Sequence, residues 1–457
     1  MKVKPIFVFG SYSRFVKPDY SGFERDVDRN FVMNKATEIH QQLQRQLDVD
    51  TELQDPDSIF TEEDMDKALE AAKNSDLLLV CKFCLGLTKP LEKLLSLQIP
   101  MILFGENRVP YLPLDAYEYL YDKGKVQVAL DYEDLRNKLK LHSIRNKLYN
   151  TEILAFATDL SEYEKFAVLR NPEPELIRER FGIHIHQIKH AELVAEWSQI
   201  SEDEATDLVN CWKLEAIKIV EPTEEDLRNE AKLYLAIKKL IKEHSAIAVT
   251  MVCSAQLSPL PAECFTFAKL RDEDVSAGCE ADLTSLLMML LLQKLSNKPA
   301  FMGNVLVANP EDNILAISHC VMPFKMHGFD SNPRRYELRN YHGYKFPGSI
   351  TAYYPVEKGQ VVTLARMDRN LNVIHAAKGT IVSCEEGFSC RTTLKVQISD
   401  VREFISKTLG NHQVLVFGDY VEKLGELCQI FEMRFVKSND NGTTRSKSMR
   451  ARAVVKN

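Results

Sequence analysis

The stretch DLLLVCKFCLGLTKPLEKLLSLQIPMILF, residues 76–104, indicates the fold class of the N-terminal part of the chain. It contains two apolar runs, Asp76 to Cys81 and Pro100 to Phe104, and a helical segment from Pro90 to Leu97 lies between them. Short continuous apolar runs are typical of strands buried on both faces, and their alternation with helices favours a parallel sheet. The stretch therefore predicts an α/β architecture.

The same alternation extends over residues 1–147, with a first strand from Lys4 to Gly10 and helices at Glu24 to Leu47 and Glu62 to Asn74. We predict a Rossmann-like α/β domain here. No G-x-G-x-x-G sequence follows the first strand, so the glycine cradle for a dinucleotide pyrophosphate is missing and NAD binding is not expected. Cys81 and Cys84 form a C-x-x-C, which we interpret as buried small residues rather than as a redox or zinc site.

A second α/β repetition covers residues 148–305. Its predicted strands and helices are Glu152 to Ala157, Phe181 to His186, Glu224 to Glu243, Ala246 to Cys253, Glu280 to Leu295 and Ala300 to Val305. From about Asn313 the segments are short and strand-like. We therefore predict a second Rossmann-like domain at 148–305, a β-rich C-terminal domain at 306–437 and a flexible tail at 438–457.

The composition excludes several classes of partner. The net charge of −7 gives no general reason to bind nucleic acid, because phosphate binding needs clustered Lys and Arg. The strongest apolar run, Leu283 to Leu292, is too short to span a bilayer. Ten cysteines without the regular spacing of a disulfide scaffold suit a reducing compartment. We expect a cytoplasmic protein that binds a small molecule and neither nucleic acid nor membrane.

Polar residues with metal-binding side chains lie at the ends of predicted elements in the second half of the chain. Glu280 stands where a loop enters a helix, Asn304 near the end of a strand, and His319 at the end of the next strand. Strand ends in α/β sheets are where ligand sites assemble, and a carboxylate, an amide oxygen and an imidazole suit Mn²⁺ or Mg²⁺. The alternative is structural: Glu280 and Asp282 cap their helix and His319 is a buried, hydrogen-bonded histidine.

Seven short motifs favour the first interpretation, because their order and approximate spacing resemble the L-fucose and L-arabinose isomerase superfamily, in particular its fucose-isomerase-like group. The resemblance is best over residues 150–436. The motifs are Cys-Glu-Ala-Asp-Leu at 279–283, Phe-Met-Gly-Asn at 301–304, Ser-His-Cys at 318–320, Val-Thr-Leu-Ala-Arg at 362–366, Cys-Arg-Thr at 390–392, Gly-Asn-His at 410–412 and Phe-Gly-Asp at 417–419.

The resemblance implies a metal-dependent sugar isomerase that interconverts an aldose and a ketose through an ene-diol, with manganese as the expected ion and magnesium as the alternative. Carried over to this sequence, the metal ligands fall on Glu280, Asn304 and His412, with His319 as a further ligand or sugar contact. His342 and Arg366 fall where relatives present polar groups to the sugar. The resemblance also implies a homo-oligomer, a trimer or a hexamer.

One position departs from the family pattern. Where the family has a second acidic residue this chain has Asn304, which neither accepts a proton as a base nor brings negative charge to a metal. The acidic residues near the site in sequence that remain as substitute bases are Glu263, Asp272, Glu273, Asp274 and Asp282. The sequence therefore predicts a sugar isomerase, with a non-catalytic carbohydrate-binding or regulatory protein of the same fold as the alternative.

Overall fold

The computed structural model of the protein describes residues 1–9, 29–46, 51–60, 62–83, 88–105, 114–120, 125–156, 171–252, 259–320, 322–340, 349–386 and 390–438. These residues belong to two compact units, Met1–Tyr149 and Asn150–Asn457. Cys84, His342 and the predicted tail beyond Ser438 lie outside the described residues.

The described part of the first unit contains a parallel sheet in the order β2-β1-β4-β5-β6, with β3 also paired to β1. Its strands are β1 (Lys2–Val8), β2 (Glu52–Leu53), β3 (Asp57–Ile59), β4 (Leu77–Lys82), β5 (Met101–Phe104) and β6 (Val126–Ala129). The helices are α1 (Arg29–Gln46), α2 (Glu62–Ala72), α3 (Thr88–Leu95), α4 (Leu114–Leu120) and α5 (Tyr132–Leu148).

Side chains of β4 alternate between two hydrophobic clusters, one on each face of this sheet. Leu78 and Val80 pack with residues of α2, α3 and α4, whereas Leu77 and Leu79 pack with residues of α1 and α5. A strand that is apolar at every position needs such cover on both faces, because successive side chains point to opposite sides. The predicted α/β class is thereby confirmed, whereas the Rossmann-like assignment of the first two domains stays a prediction.

The second unit begins with another parallel sheet, in the order β11-β10-β7-β8. Its strands are β7 (Glu152–Phe156), β8 (His184–Ile188), β10 (Ala246–Met251) and β11 (Ser276–Gly278). Phe181 does not begin a strand, as the sequence had suggested, but ends helix α6 (Pro174–Phe181). Gly182 stops that helix with a φ of 70°, a left-handed conformation that glycine adopts without strain.

The remaining helices of this part surround the sheet and the short strand β9 (Ala216–Ile219). They are α7 (His190–Gln199), α8 (Glu202–Glu215), α9 (Glu224–His244), α10 (Cys264–Arg271) and α11 (Leu283–Ser296). The helix predicted at Glu280 to Leu295 is interrupted at its start: Cys279–Ala281 form a 3₁₀ turn, and α11 begins only at Leu283. β9 is the edge strand of a small sheet with β14 (Tyr336–Asn340) and β15 (Ile350–Tyr353).

The predicted C-terminal β structure forms a barrel-like sheet. Strand order is β16-β19-β12-β13-β18-β17-β20, and an additional β16–β17 pairing closes β16, β19, β12, β13, β18 and β17 into a ring. The ranges are β12 (Phe301–Asn309), β13 (Ile314–His319), β16 (Val361–Met367), β17 (Val373–Glu385), β18 (Thr392–Ile398), β19 (His412–Phe417) and β20 (Arg434–Lys437), with α12 (Val401–Lys407) and α13 (Val421–Ile430) between strands.

Ring closure depends on the length of β17. Its N-terminal half pairs with β16 and β20, and its C-terminal half continues far enough to pair with β18. The predicted domain boundary after residue 305 lies inside β12, which pairs with β19 and β13. The division of the second unit at that residue therefore stays a prediction.

Helix α11 joins the parallel sheet of the second unit to the barrel. Its sequence LTSLLMMLLLQKLS is apolar around the whole circumference, and all but one of its residues are buried. It contacts β10 and β11 of the parallel sheet and β16 and β19 of the barrel, as expected for a helix without a polar face. The residues that precede its first turn therefore lie between the two sheets.

In the described part of the chain, no helix is long and apolar enough to cross a membrane.

Candidate metal centre

Glu280 occupies an unusual backbone position between β11 and α11. Its φ of 57° and ψ of 24° are left-handed, and Ala281 follows with a φ of 46°. Such values are uncommon for residues other than glycine and persist where surrounding structure enforces them. Here Gly278 packs so closely on α11 that a Cβ at this position would lie 3.0 Å from Leu286 Cβ. The turn directs a carboxylate, 43% exposed, toward the barrel.

Two barrel histidines face that carboxylate. His319 is the last residue of β13 and His412 the first residue of β19, and both strands pair with β12 between them. His319 Nε2 lies 3.6 Å from Glu280 Oε1, and His412 Nε2 lies 3.5 Å from Glu280 Oε2. One ligand atom from each of the three residues lies within 4.8 Å of the others. The antiparallel register thus brings together two histidines that are distant in the chain, and the turn before α11 adds Glu280 to them.

The three side chains fit a divalent ion. Two ligand atoms that each lie about 2.1 Å from one ion are about 3 to 3.6 Å apart at common coordination angles. The two distances from Glu280 to the histidines, 3.6 and 3.5 Å, are close to this range. Both ring nitrogens of His319 and Nε2 of His412 are buried and have no hydrogen-bond partner among the described residues. Buried polar atoms are normally paired, so the two Nε2 atoms, which face Glu280, have the environment expected of metal ligands.

The charge states of the cluster also suit a cation. The His319 imidazole beside Glu280 lowers the pKa of that carboxyl more than its partial burial raises it. Burial lowers the pKa of His319, and the nearby Glu280 offsets part of this effect. Near neutral pH the site therefore offers a carboxylate and a neutral imidazole at His319, the forms in which these groups bind metals.

Asp282 lies behind His412 and is completely buried. Its Oδ2 forms a hydrogen bond with His412 Nδ1 at 2.9 Å and accepts one from Arg366 Nη1 at 2.6 Å. Burial opposes ionisation of Asp282, but the Arg366 guanidinium and His412 hold the pKa of this carboxyl well below its usual range. Asp282 also caps α11, since its Oδ1 accepts from Ser285 N at 2.9 Å. The helix-capping interpretation is thus confirmed for Asp282, which contacts the cluster as well.

Asn304 lies on β12, where it pairs with His412 on one side and with Ser318 on the other. Its side-chain Oδ1 accepts a hydrogen bond from Asn411 Nδ2 at 2.7 Å. The amide oxygen that would bind a metal already has this partner, so the predicted ligand role of Asn304 stays a prediction. Sequence reasoning gave no indication of the Asn411 contact.

The other predicted sugar contacts differ in how the structure places them. Arg366, on β16, donates from Nη1 to Asp282 and to Ser285 Oγ, so its guanidinium lies beside the cluster's supporting carboxylate. Its contact with a sugar stays a prediction. His342 lies outside the described residues.

Of the five acidic residues proposed as substitute bases, Asp282 bonds directly to a cluster residue. Glu273 accepts from Lys238 Nζ at 2.6 Å, and Asp274 pairs with Lys294 at 2.9 Å. Asp272 accepts from Lys325 N at 2.8 Å, and burial raises its pKa to about 7. Glu263 is buried at the start of α10. Its buried position would not have been apparent from the sequence.

A comparison with protein-family profiles finds no match for this chain. Over 222 residues the chain is 24% identical to the sulfoquinovose isomerase of Clostridium sp. (strain MSTE9), and the aligned region covers 47% of this chain and 47% of that protein. The chain thus spans about half the length of the curated relative it matches. This similarity supports a relationship between the chain and a sugar isomerase.

Proposed function

We propose that the protein is a metal-dependent isomerase that interconverts an aldose and a ketose through an ene-diol. In this proposal Glu280, His319 and His412 hold the ion, with Mn²⁺ as the first expectation and Mg²⁺ as the alternative. The observation that carries the proposal is the convergence of two buried, unpartnered imidazole nitrogens on the carboxylate of Glu280. The similarity to a sugar isomerase supports the same reaction class.

The reaction requires a base beside the sugar carbons C1 and C2. Removal of the C2 proton of the open-chain aldose, with a proton added at O1, yields an ene-diol, and return of a proton to C1, with loss of the O2 proton, yields the ketose. Glu280 is the candidate base, since the nearby His319 favours its ionised form and its side chain is partly exposed. A bound divalent ion would polarise the carbonyl and stabilise negative charge on the ene-diolate oxygens.

The neutral side chain of Asn304 affects the charge of the proposed centre. With one carboxylate and two neutral imidazoles, the ligands supply one negative charge to a dication and leave one positive charge uncompensated. A second carboxylate would have neutralised it. The remaining charge would favour ionisation of a sugar hydroxyl or binding of an anionic sugar. The named substrate of the relative, sulfoquinovose, is therefore included with deoxyhexoses and pentoses among the proposed substrates.

The second candidate function is a carbohydrate-binding or regulatory protein that turns over no sugar. Its supporting observation is again Asn304, because this residue provides no second acid/base group and its oxygen already accepts from Asn411. Under this alternative the protein binds a sugar but exchanges no carbon-bound hydrogen. A homo-oligomer, trimer or hexamer, is a further proposal based on the family resemblance alone.

The test uses full-length protein stripped of metal and then supplied with Mn²⁺ or Mg²⁺. Deoxyhexoses, pentoses and sulfoquinovose are incubated in deuterated water and followed by NMR. The proposal predicts metal-dependent ketose formation, with deuterium entering at C1 or C2. Metal binding and sugar binding without any exchange of carbon-bound hydrogen would favour the non-catalytic alternative.

A further inference from the structure

We infer that Asp282 is a positioning residue that fixes the tautomer and orientation of His412, and that Arg366 acts on the centre through Asp282. The inference rests on the proposed function, because it gives His412 Nε2 the lone pair that a metal ion requires. It concerns the hydrogen bonds behind the imidazole rather than the metal ligands themselves. The residues involved lie on three elements that are distant from one another in the sequence: the start of α11, β16 and β19.

The Asp282 carboxylate is surrounded by hydrogen-bond donors. Its Oδ2 accepts from Arg366 Nη1 and from Ser285 Oγ at 2.7 Å, and it lies 2.9 Å from His412 Nδ1. Its Oδ1 accepts from Ser285 N and from Thr284 Oγ1 at 2.6 Å. An ionised carboxylate has about four lone-pair sites and no proton to donate. The four donors from Arg366, Ser285 and Thr284 therefore leave Asp282 as an acceptor only toward His412.

The His412 ring has one nitrogen on Asp282 and the other beside Glu280. Since Asp282 only accepts, the 2.9 Å contact requires that His412 Nδ1 carries the proton. Nε2 then keeps its lone pair, and this atom faces Glu280 Oε2 at 3.5 Å. Carboxylates that accept from the second nitrogen of a metal-binding histidine also raise the basicity of the ligating nitrogen. Asp282 thus fixes the orientation of the Nε2 lone pair of His412 and raises the basicity of this proposed ligand atom.

Asp282 forms a buried ion pair with Arg366, whose Nη1 lies 2.6 Å from Asp282 Oδ2. Arg366 is itself 6% exposed and supplies the compensating charge. Gly410 leaves room for this guanidinium, because a Cβ there would lie 3.0 Å from Arg366 Nε. The glycine two residues before His412 therefore permits the ion pair that orients His412. This gives a physical reason for the glycine in the Gly-Asn-His motif.

The informative substitution is Asp282→Asn. The backbone N–H of Ser285 cannot reverse its direction, so the amide oxygen of the variant remains at the Oδ1 position. The amide NH₂ then faces His412 Nδ1, which must accept, and the proton moves to Nε2. The same change beside a catalytic histidine is known to impose the wrong tautomer. We expect a 10- to 100-fold loss of Mn²⁺ affinity, the range typical for loss of such a partner.

The experiment compares histidine ring ¹⁵N NMR spectra of metal-free, full-length wild-type protein and D282N, with His412 assigned by His412→Gln. The double variant D282N/R366Q repeats the test without an unpaired buried guanidinium. The matched control is Asp274→Asn, which makes the same chemical change at a residue that pairs with Lys294 outside the cluster. Its left-handed backbone, φ 62°, is one that Asn tolerates.

We expect Nδ1–H at His412 in the wild type and in D274N, and Nε2–H in both Asp282 variants. An Nε2–H tautomer in the wild type, or an Nδ1–H tautomer together with wild-type Mn²⁺ affinity in D282N and the double variant, would overturn the inference. The spectra need no metal and no turnover. If the tautomer changes as expected but the wild type neither binds Mn²⁺ nor exchanges sugar hydrogen, the positioning role stands and the proposed function fails.

Discussion

Buried histidines occur in both units, and the surroundings of their ring nitrogens differ. In the first unit, His142 on α5 forms a hydrogen bond through Nε2 with Gln127 Oε1 at 2.9 Å. In the second unit, the Nε2 atoms of His319 and His412 face Glu280 and have no hydrogen-bond partner among the described residues. The first arrangement is that of a satisfied core residue, whereas the second is that of a ligand set.

The electrostatic surroundings differ in the same way. Burial, together with the nearby charges of Arg145, Lys125 and Lys138, lowers the pKa of His142 to about 3. Burial also lowers the pKa of His319, but there the carboxylate of Glu280 acts in the opposite direction. Burial of an imidazole therefore does not by itself indicate a site. A site is indicated when one carboxylate faces two such rings and a second carboxylate orients one of them.

The largest expected effect is on catalysis. Glu280→Gln removes the negative charge shared by the proposed metal site and the proposed base, so we expect at least a ~100-fold fall in kcat/KM for the sugar identified in the NMR screen. The matched control is Glu273→Gln, since Glu273 pairs with Lys238 outside the cluster. Equal activity of E280Q and the control would show that Glu280 does not carry the chemistry.

The next largest effect is expected on stabilisation by Mn²⁺, which should distinguish the two kinds of buried histidine. His319→Leu removes a ring without a partner, so the metal-free protein should lose little stability, but stabilisation by Mn²⁺ should disappear. For the wild type this stabilisation is about 2.7 kcal/mol at a metal concentration of 100 Kd. Denaturant unfolding with and without Mn²⁺ measures it.

His142→Leu is the counterpart in the first unit and should keep the full Mn²⁺ effect. The chain has two tryptophans, Trp197 and Trp212, and both lie in the second unit, so their fluorescence reports on the unit that contains the centre. If Mn²⁺ stabilises H319L as strongly as it stabilises H142L, the distinction between the two kinds of histidine fails.

A smaller effect is expected from Asn304→Asp. The carboxylate can still accept from Asn411, and it adds a negative charge on the strand residue paired with His412. We expect Mn²⁺ affinity to rise by roughly tenfold, because added ligand charge strengthens binding of a hard cation. Isothermal titration calorimetry of the metal-free proteins measures the change. Unchanged affinity would indicate that residue 304 lies outside the coordination sphere.

The smallest effect is the pH dependence of the first unit. The pKa of His142 is about 3 in the folded protein and near 6.5 when unfolded, so the unfolded state binds the extra proton. Its contribution to stability is present above pH 6.5 and is lost as the pH falls toward 3. Between pH 6.5 and 5.5 the loss is about 1 kcal/mol.

Hydrogen exchange of the β6–α5 segment measures this dependence, and His142→Gln should remove it. Because His142 forms a hydrogen bond with Gln127 on β6, the backbone amides of β6 should be the most sensitive to the change in pH. A variant with the same pH dependence as the wild type in this range would show that His142 is not the group responsible.

Much of the fold follows from local pattern. The apolar runs of β4 and β5 predict buried parallel strands, because only a covered sheet accommodates them. The interruption before α11 does not follow, since the apolar sequence around Glu280 continues a helical pattern while the backbone turns left-handed. Closure of the barrel also escapes sequence reasoning, because it depends on β17 pairing with different strands along its length.

The candidate site was only partly predictable. Glu280, His319 and His412 were found through family-like motifs, and the structure supports their convergence. The contact from Asp282 to His412 spans 130 positions, and no local signal specifies it. The preference of acidic residues for the start of a helix indicated only the capping role of Asp282, so the second role of this carboxylate required the tertiary structure.

The central claim is that Glu280, His319 and His412 bind one divalent ion. Its most direct test is titration of metal-free, full-length protein with Mn²⁺, with free Mn²⁺ measured by electron paramagnetic resonance. We predict one bound Mn²⁺ per wild-type chain, the same binding in E273Q, and loss of that site in both E280Q and H319L. Absence of binding in the wild type, or unchanged binding in E280Q and H319L, would contradict the claim.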